Sequence, residues 1–223
     1  MSKKKINEFK GIIFDIDGTL TSTNNLIFAS FNFIANKYLG KTLSDEEIVK
    51  LFGPTEDVIL KEFCGDNYEK AREEYYKFYS DNHFMADIYP GMKEILNDLK
   101  SHGVLLSIFT GKGREATTIT LKKLDIYDYF DLIITGDEVK EHKPSPEGIQ
   151  IFLKKYNLNK NEVIMIGDSP SDIKAAHSAG IKVVSVLWDS LAKHHVLKMD
   201  SDYVFYTVDE LKNFLLFSLR PTP

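Results

Sequence analysis

At 223 residues the chain is long enough for one ordinary α/β core plus a smaller second unit, since single domains usually run about 100 to 150 residues. With 43% hydrophobic and 27% charged residues and no Pro-, Ser- or Gln-rich tract, the composition excludes a disordered chain. The net charge of −5, with Lys3 to Lys5 as the one dense basic cluster, argues against a nucleic-acid partner, and a single cysteine, Cys64, excludes an internal disulfide and fits a reducing, cytoplasmic compartment.

The first apolar run, G11-I-I-F14, reads as a buried strand that is interrupted at once by Asp15, too early for a signal-peptide core or a membrane span. It ends on D15-I-D-G-T19, which sets two carboxylates one residue apart. From about Thr21 to Asp87 the pattern changes to helices without strands: L26 to Y38, S44 to F52, T55 to F63 and N67 to H83, with Ser44 and Glu47 spaced for a capping box. A strand-helix-strand unit needs about 30 residues, yet about 90 separate the first strand from the next at Val104, so roughly 60 are surplus. The expectation is a small all-helical cap domain over residues 21–87, inserted directly after the acidic pair, with residues 1–20 and 88–223 forming the core.

Beyond the insertion, V104-L-L-S-I-F109, L132-I-I-T135, V163-I-M-I166 and I181-K-V-V-S-V-L187 mostly lack polar alternation, as strands buried on both faces of a parallel sheet do. Pro90-Gly91 opens an amphipathic helix carrying Ile95 and Leu99 and closed by Gly103; another runs from Ser171 to Ala179 and closes at Gly180. Alternating strands and helices predict a doubly wound, mostly parallel, Rossmann-like α/β sheet.

Ligands of open α/β sheets sit at the carboxyl ends of the strands. The segments that follow the strands are D15-I-D-G-T19, T110-G-K-G113, H142-K-P-S-P146 and G167-D-S-P-S-D172, so carboxylates, a hydroxyl with glycine-flanked amides and a lysine would converge on one spot. Neighbouring strands lie about 4.8 Å apart, which lets Asp15 and Asp168 share one ion if their strands are adjacent. Unit charges about 4 Å apart interact by about 4 kcal/mol at an effective dielectric near 20. Clustered carboxylates facing a phosphate therefore call for a divalent cation, and Mg2+ suits oxygen ligands best.

These motifs in this order, D15-x-D-G-T19, Thr110, Lys143 and G167-D-x-x-x-D172, resemble the haloacid dehalogenase superfamily of phosphatases over essentially the whole chain. Further similarity lies in Y89-P-G91, K143-P-S-P-E147 and A175-A-H-S-A-G180, and the helical surplus resembles that family's cap. The resemblance implies a Mg2+-dependent phosphohydrolase with Asp15 as nucleophile, Asp17 as acid and then base, and Thr110 and Lys143 steadying the transferred group. It implies a metal set of Asp15, Asp17, Asp168 and Asp172, in which Asp17 need not use its side chain, Asp168 binds directly, and Asp172 acts through water or by orienting the other ligands. The substrate-binding set is Thr19, Gly111, Lys112, Gly53, Pro54 and Thr55, the last three forming a loop between cap helices.

The stretch T21-S-T-N-N-L-I-F28 with G53-P-T55 looks most like inorganic pyrophosphatases and phosphoglycolate phosphatases, although Ser22 stands where many relatives carry an acid. The implied substrate is a small phosphate monoester or pyrophosphate, handled by a monomer or homodimer with no nucleic-acid or membrane partner. A sugar phosphatase or phosphomutase of the same family is the alternative, but the mutase histidine position aligns with Ile27 here. A non-catalytic phosphate-responsive module would have no need of Asp17. Lys112 is expected to face solvent, because G111-K-G113 lacks the upstream glycine and the following hydroxyl of a nucleotide loop. His142, His177, His194 and His195 read as surface or packing residues, and Y75-Y-K-F-Y79 as packing between cap helices.

Overall fold

The apolar runs form one parallel six-stranded sheet in the computed structural model, which describes residues 9–219. In chain order the strands of the molecule are β1 (Gly11–Phe14), β2 (Thr21–Ser22), β3 (Asp87–Ile88), β4 (Leu105–Phe109), β5 (Leu132–Ile134), β6 (Val163–Gly167), β7 (Lys182–Val186) and β8 (Tyr203–Phe205). The large sheet runs β5-β4-β1-β6-β7-β8. The chain leaves β1 for β4 and β5 on one side and then crosses back to β6 on the other, so β1 lies at the topological switch point, where such sheets open a crevice.

β1 shows why the apolar run lacks polar alternation. Its odd and even residues point to opposite faces, and both faces are covered. Ile12 and Phe14 join a cluster with Met92, Ile95, Leu99 and Leu211, while Ile13 joins Phe109, Phe152 and Ile173. The covering helices include α5 (Met92–Ser101), α7 (Glu147–Tyr156) and α8 (Pro170–Ala179). The α5 and α8 expectations hold, each helix being followed closely by a glycine at positive φ, Gly103 at 74° and Gly180 at 74°. Trp188 packs at the edge of the first cluster, its ring 5.9 Å from that of Tyr89.

The segment between β2 and β3 is helical, as its periodicity predicts: α1 (Asn24–Ile34), α2 (Asp45–Val49), α3 (Glu56–Cys64) and α4 (Tyr68–Asp81). The Ser44/Glu47 capping box forms in both directions, at 3.2 Å and 2.8 Å. These helices share their own core of Leu26, Phe31, Ile34, Ile59, Leu60, Tyr75 and Tyr79, joined by Ala116 of α6 (Arg114–Lys123). Tyr75 lies fully buried with its ring 5.3 Å from Phe31, so the aromatic run packs within this cluster. Tyr79 also reaches α6, its hydroxyl 2.8 Å from Thr120 Oγ1.

Three strands have no expectation behind them. β2 and β3 pair antiparallel, Thr21 with Ile88 and Ser22 with Asp87, so the two chain crossings between sheet and helices run side by side. Each is two residues long, too short to carry a period. β8 extends the sheet edge beside β7 with Tyr203, Val204 and Phe205 only partly buried.

Candidate active site

Asp15 is the first residue beyond β1, and its backbone N–H donates to Ile166 O at 2.9 Å, continuing the β1–β6 ladder. Register places Phe14 beside Ile166, so Asp168 emerges next to Asp15 at the sheet's C-terminal edge. Asp172 comes from the first turn of α8, where Pro170 at the helix start and the Ser169/Asp172 capping box fix the turn. Its Oδ2 accepts from Ser169 N at 3.0 Å, leaving Oδ1 for Lys143 Nζ at 2.6 Å. Lys143 Nζ also lies 2.9 Å from Asp15 Oδ1.

Asp15, Asp168 and Asp172 each offer a carboxylate oxygen within 4.8 Å of the other two, and all three are buried. Glycines make this crowding sterically feasible: a Cβ on Gly167 would fall 2.4 Å from Asp172 Cγ, and one on Gly18 would fall 2.6 Å from Asp168 Oδ2. The electrostatic cost is visible in the carboxyls themselves. Burial above all pushes Asp15 up to about 6, against the pull of Lys143 and with Asp172 and Asp17 adding to the rise. Burial, then Asp15 and Asp172, push Asp168 well above the usual carboxylate range. Burial works against the charge on Lys143, but Asp15 and Asp172 outweigh it and hold the ammonium above the ordinary lysine range. Three buried hard-oxygen donors with one ammonium between them form a site that a divalent cation such as Mg2+ fits, because the ion offsets the repulsion that burial magnifies.

Asp17 points elsewhere. Its Oδ1 accepts from Thr23 Oγ1, and its Oδ2 lies 3.1 Å from Lys112 Nζ, so its carboxylate stands outside the acidic cluster. Lys112 corrects an expectation: it is 7% exposed and turned inward, against the solvent-facing side chain that the G111-K-G113 spacing suggests. The reason is a pair of buried anions. Besides Asp17, Lys112 Nζ lies 3.3 Å from Glu56 Oε1, and the Tyr79 ring centroid is 5.3 Å away. Burial opposes the lysine's charge, and Asp17, Tyr79 and Glu56 more than restore it.

Glu56 itself went unread in the sequence. It sits in the first turn of α3, where an acid is an ordinary partner for the helix dipole, and no spacing distinguishes it from Asp57 beside it. Yet Glu56 is 6% exposed, and its Oε2 accepts the Gly113 N–H at 2.7 Å.

Thr110 follows β4 in a buried position, its N–H donating to Ile134 O at 3.1 Å and its Oγ1 accepting from Lys112 N at 3.2 Å. Asp15, Asp17, Thr110, Gly111, Lys112, Lys143 and Asp168 line one cavity of about 550 Å³ whose opposite wall includes Ile27, Phe31, Gly53, Pro54 and Glu56. The sequence-nominated residues thus converge, with three exceptions. Thr19 is fully buried behind the cavity, its Oγ1 3.5 Å from Asp168 Oδ1. Thr55 caps α3 and packs at the Gly136 backbone, where an added Cβ would meet its Cγ2 at 2.8 Å. Asp172 lies behind the lining, fully buried under Lys143. His195, set aside in the sequence, lines the cavity beside Leu191 and Ala192.

Residues 12–186 match the family of haloacid dehalogenase-like hydrolases. The pyrophosphatase PpaX of Bacillus velezensis is 32% identical over 215 residues, covering 95% of this chain and 97% of the relative. That of Bacillus pumilus is 30% identical over 212 residues, with the same 95% and 97% coverage. Among solved structures, a predicted phosphoglycolate phosphatase from Haemophilus somnus 129pt superposes with a TM-score of 0.80 at 26% identity, over 93% of this chain and 98% of the other. Among the described residues, no helix is long and apolar enough to cross a membrane.

Proposed function

The chain belongs to the haloacid dehalogenase-like hydrolases, a phosphohydrolase of that family, and from that premise we propose that it uses Mg2+ and an aspartyl-phosphate intermediate to release phosphate from a small phosphorylated metabolite. The observation that carries this reading is the separation of the two carboxylates of D15-x-D17: one lies in the acidic cluster beside Lys143, the other in a distinct pocket with Lys112 and Thr23.

Asp15 is the nucleophile. One carboxylate oxygen attacks phosphorus as the bond to the leaving oxygen breaks, and Lys143 offsets charge on both the carboxylate and the phosphoryl oxygens. Thr110 and the backbone amides of the loop after β4 hold the remaining phosphoryl oxygens. Asp17 gives its proton to the departing alkoxide, then takes one from the water that attacks the aspartyl-phosphate, which restores Asp15 and frees phosphate. Asp15, Asp168 and Asp172 would hold the Mg2+. Bound there, the ion supplies the positive charge that lets a phosphate dianion enter an acidic cluster.

The helices of residues 21–87 serve as a cap that brings Gly53, Pro54 and Glu56 over the cavity and excludes water during transfer. Pyrophosphate and phosphoglycolate, the substrates in the relatives' names, are the first to test, with sugar phosphates as the alternative. We place the protein in the cytoplasm as a monomer or homodimer, in keeping with its one thiol. The reading is tested by incubating the purified protein with Mg2+ and a panel of phosphate esters and pyrophosphate. Continuous phosphate release that disappears in Asp15→Asn supports it; undiminished release in that variant removes the assigned nucleophile.

A further inference from the structure

Glu56 and Lys112 come from opposite walls of the cavity, and their pairing leaves a question of charge. Lys112 stands between two carboxyl groups, Asp17 at 3.1 Å and Glu56 at 3.3 Å, and with Asp17 protonated for its role as acid, Glu56 alone already balances the lysine's charge. Lys143, the other lysine of the lining, is likewise shared between two carboxylates, Asp15 and Asp172. Arg72 is bound to Asp57 and Glu115, and Arg114 to Glu138, outside the lining. Among the described residues of the lining, the remaining basic side chain is His195. The wall facing the phosphoryl floor is largely apolar, with Ile27, Phe31, Phe52, Ile59 and Leu191.

Phosphate itself is accounted for by the metal site and Lys143. What leaves with the bridging oxygen must occupy the other end of the cavity, next to Asp17 and therefore next to Lys112. An uncharged leaving group meets apolar walls and the hydrogen-bonding groups of Asn24 and His195. An anionic one, whether a carboxylate or a second phosphate, meets a lysine whose charge Glu56 already matches, so the attraction of Lys112 is offset by the repulsion of Glu56 at similar range, in a buried setting where such terms are strong. Glu56 is fixed in place by the Gly113 amide at 2.7 Å, so it does not simply swing away.

We propose that Glu56 is a specificity-determining residue: by occupying Lys112 it selects phosphate esters with an uncharged leaving group over those whose leaving group is an anion. This narrows the phosphohydrolase reading, on which it rests, and it sets this chain apart from the substrates in its relatives' names, both of which release an anion.

The test compares two esters of nearly the same size, 2-hydroxyethyl phosphate and phosphoglycolate, which differ in a CH2OH against a carboxylate, together with p-nitrophenyl phosphate as a general probe. Wild-type protein with Mg2+ is expected to favour 2-hydroxyethyl phosphate over phosphoglycolate by at least about 10-fold in kcat/KM, mostly through KM. Glu56→Gln, which keeps the size and the capacity to accept from Gly113, is expected to move that ratio toward phosphoglycolate by about 10-fold or more. A wild-type ratio near one or favouring phosphoglycolate overturns the proposal, and needs no variant to do so. So does a folded Glu56→Gln that loses both esters equally, the result of a purely structural role. Turnover of p-nitrophenyl phosphate separates these failures from a failure of the phosphohydrolase reading: if wild type does not cleave it or any ester, both readings fall.

Discussion

Lys143 bridges Asp15 and Asp172, its Nζ 2.9 Å from one carboxylate and 2.6 Å from the other. Asp15 and Asp172 are buried and the Lys143 side chain is only 6% exposed, and the lysine comes from a loop more than a hundred residues from Asp15, so the bridge ties the end of β1 to the start of α8. Breaking a buried pair by removing one partner typically costs about 3 to 5 kcal/mol, since it strands uncompensated charge. Lys143→Met is therefore expected to lower the stability of the metal-free protein by roughly that amount and to lower kcat by at least about 100-fold. Urea denaturation and initial-rate kinetics measure the two separately.

Asp15→Asn is expected to behave differently. The Asp15 carboxyl titrates near 6 because burial disfavours its charge, so an uncharged amide of the same shape relieves a cost instead of creating one. The variant should fold at least as stably as wild type without metal while losing turnover. A thermal melt and a phosphate-release assay on the same sample check both halves.

The same carboxyl sets a pH dependence. Asp15 holds its proton more tightly folded, with its pKa at about 6, than unfolded, near 3.8. Between these values the native state binds more protons, so the stability of the metal-free protein falls as pH rises through that window and is lowest above 6. Asp168, raised well above its usual range, acts in the same direction. Melts of chelator-treated protein from pH 5 to 8 should therefore show Tm declining through this contribution, and saturating Mg2+ should remove the decline by stabilising the ionised carboxylates.

Gly18 offers a steric test of the site. It sits at φ 78°, where a side chain is strained, and an added Cβ would fall 2.6 Å from Asp168 Oδ2. Gly18→Ala should displace the Asp168 carboxylate and weaken Mg2+ binding by about 10 to 100-fold, as disturbance of groups that orient a ligand does elsewhere. Isothermal titration with Mg2+ measures it.

The sequence disclosed those parts whose physics is local. The buried strands were legible because both faces of β1, β4 and β6 are apolar, and the helical insertion because its spacing exceeds any crossover. Asp15, Thr110, Lys143 and Asp168 were legible because a parallel sheet brings strand ends together whatever lies between them. Lys112 and Glu56 were not. Their partnership joins α3 to the loop after β4 across 56 positions of sequence and depends on how the helices settle over the sheet, which no period or motif encodes. β2 and β3 were missed for a related reason: four residues stabilised by pairing alone carry no pattern.

Covalent chemistry at Asp15 is open to direct trapping. Protein turning over substrate with Mg2+ is quenched rapidly with borohydride, which reduces an aspartyl-phosphate to homoserine, and the peptide containing residue 15 is read by mass spectrometry. Homoserine is expected at position 15, and only when both substrate and Mg2+ are present. Its absence there during active turnover, together with inversion of configuration at phosphorus, would rule out the aspartyl-phosphate, because water would then be attacking the substrate in a single step.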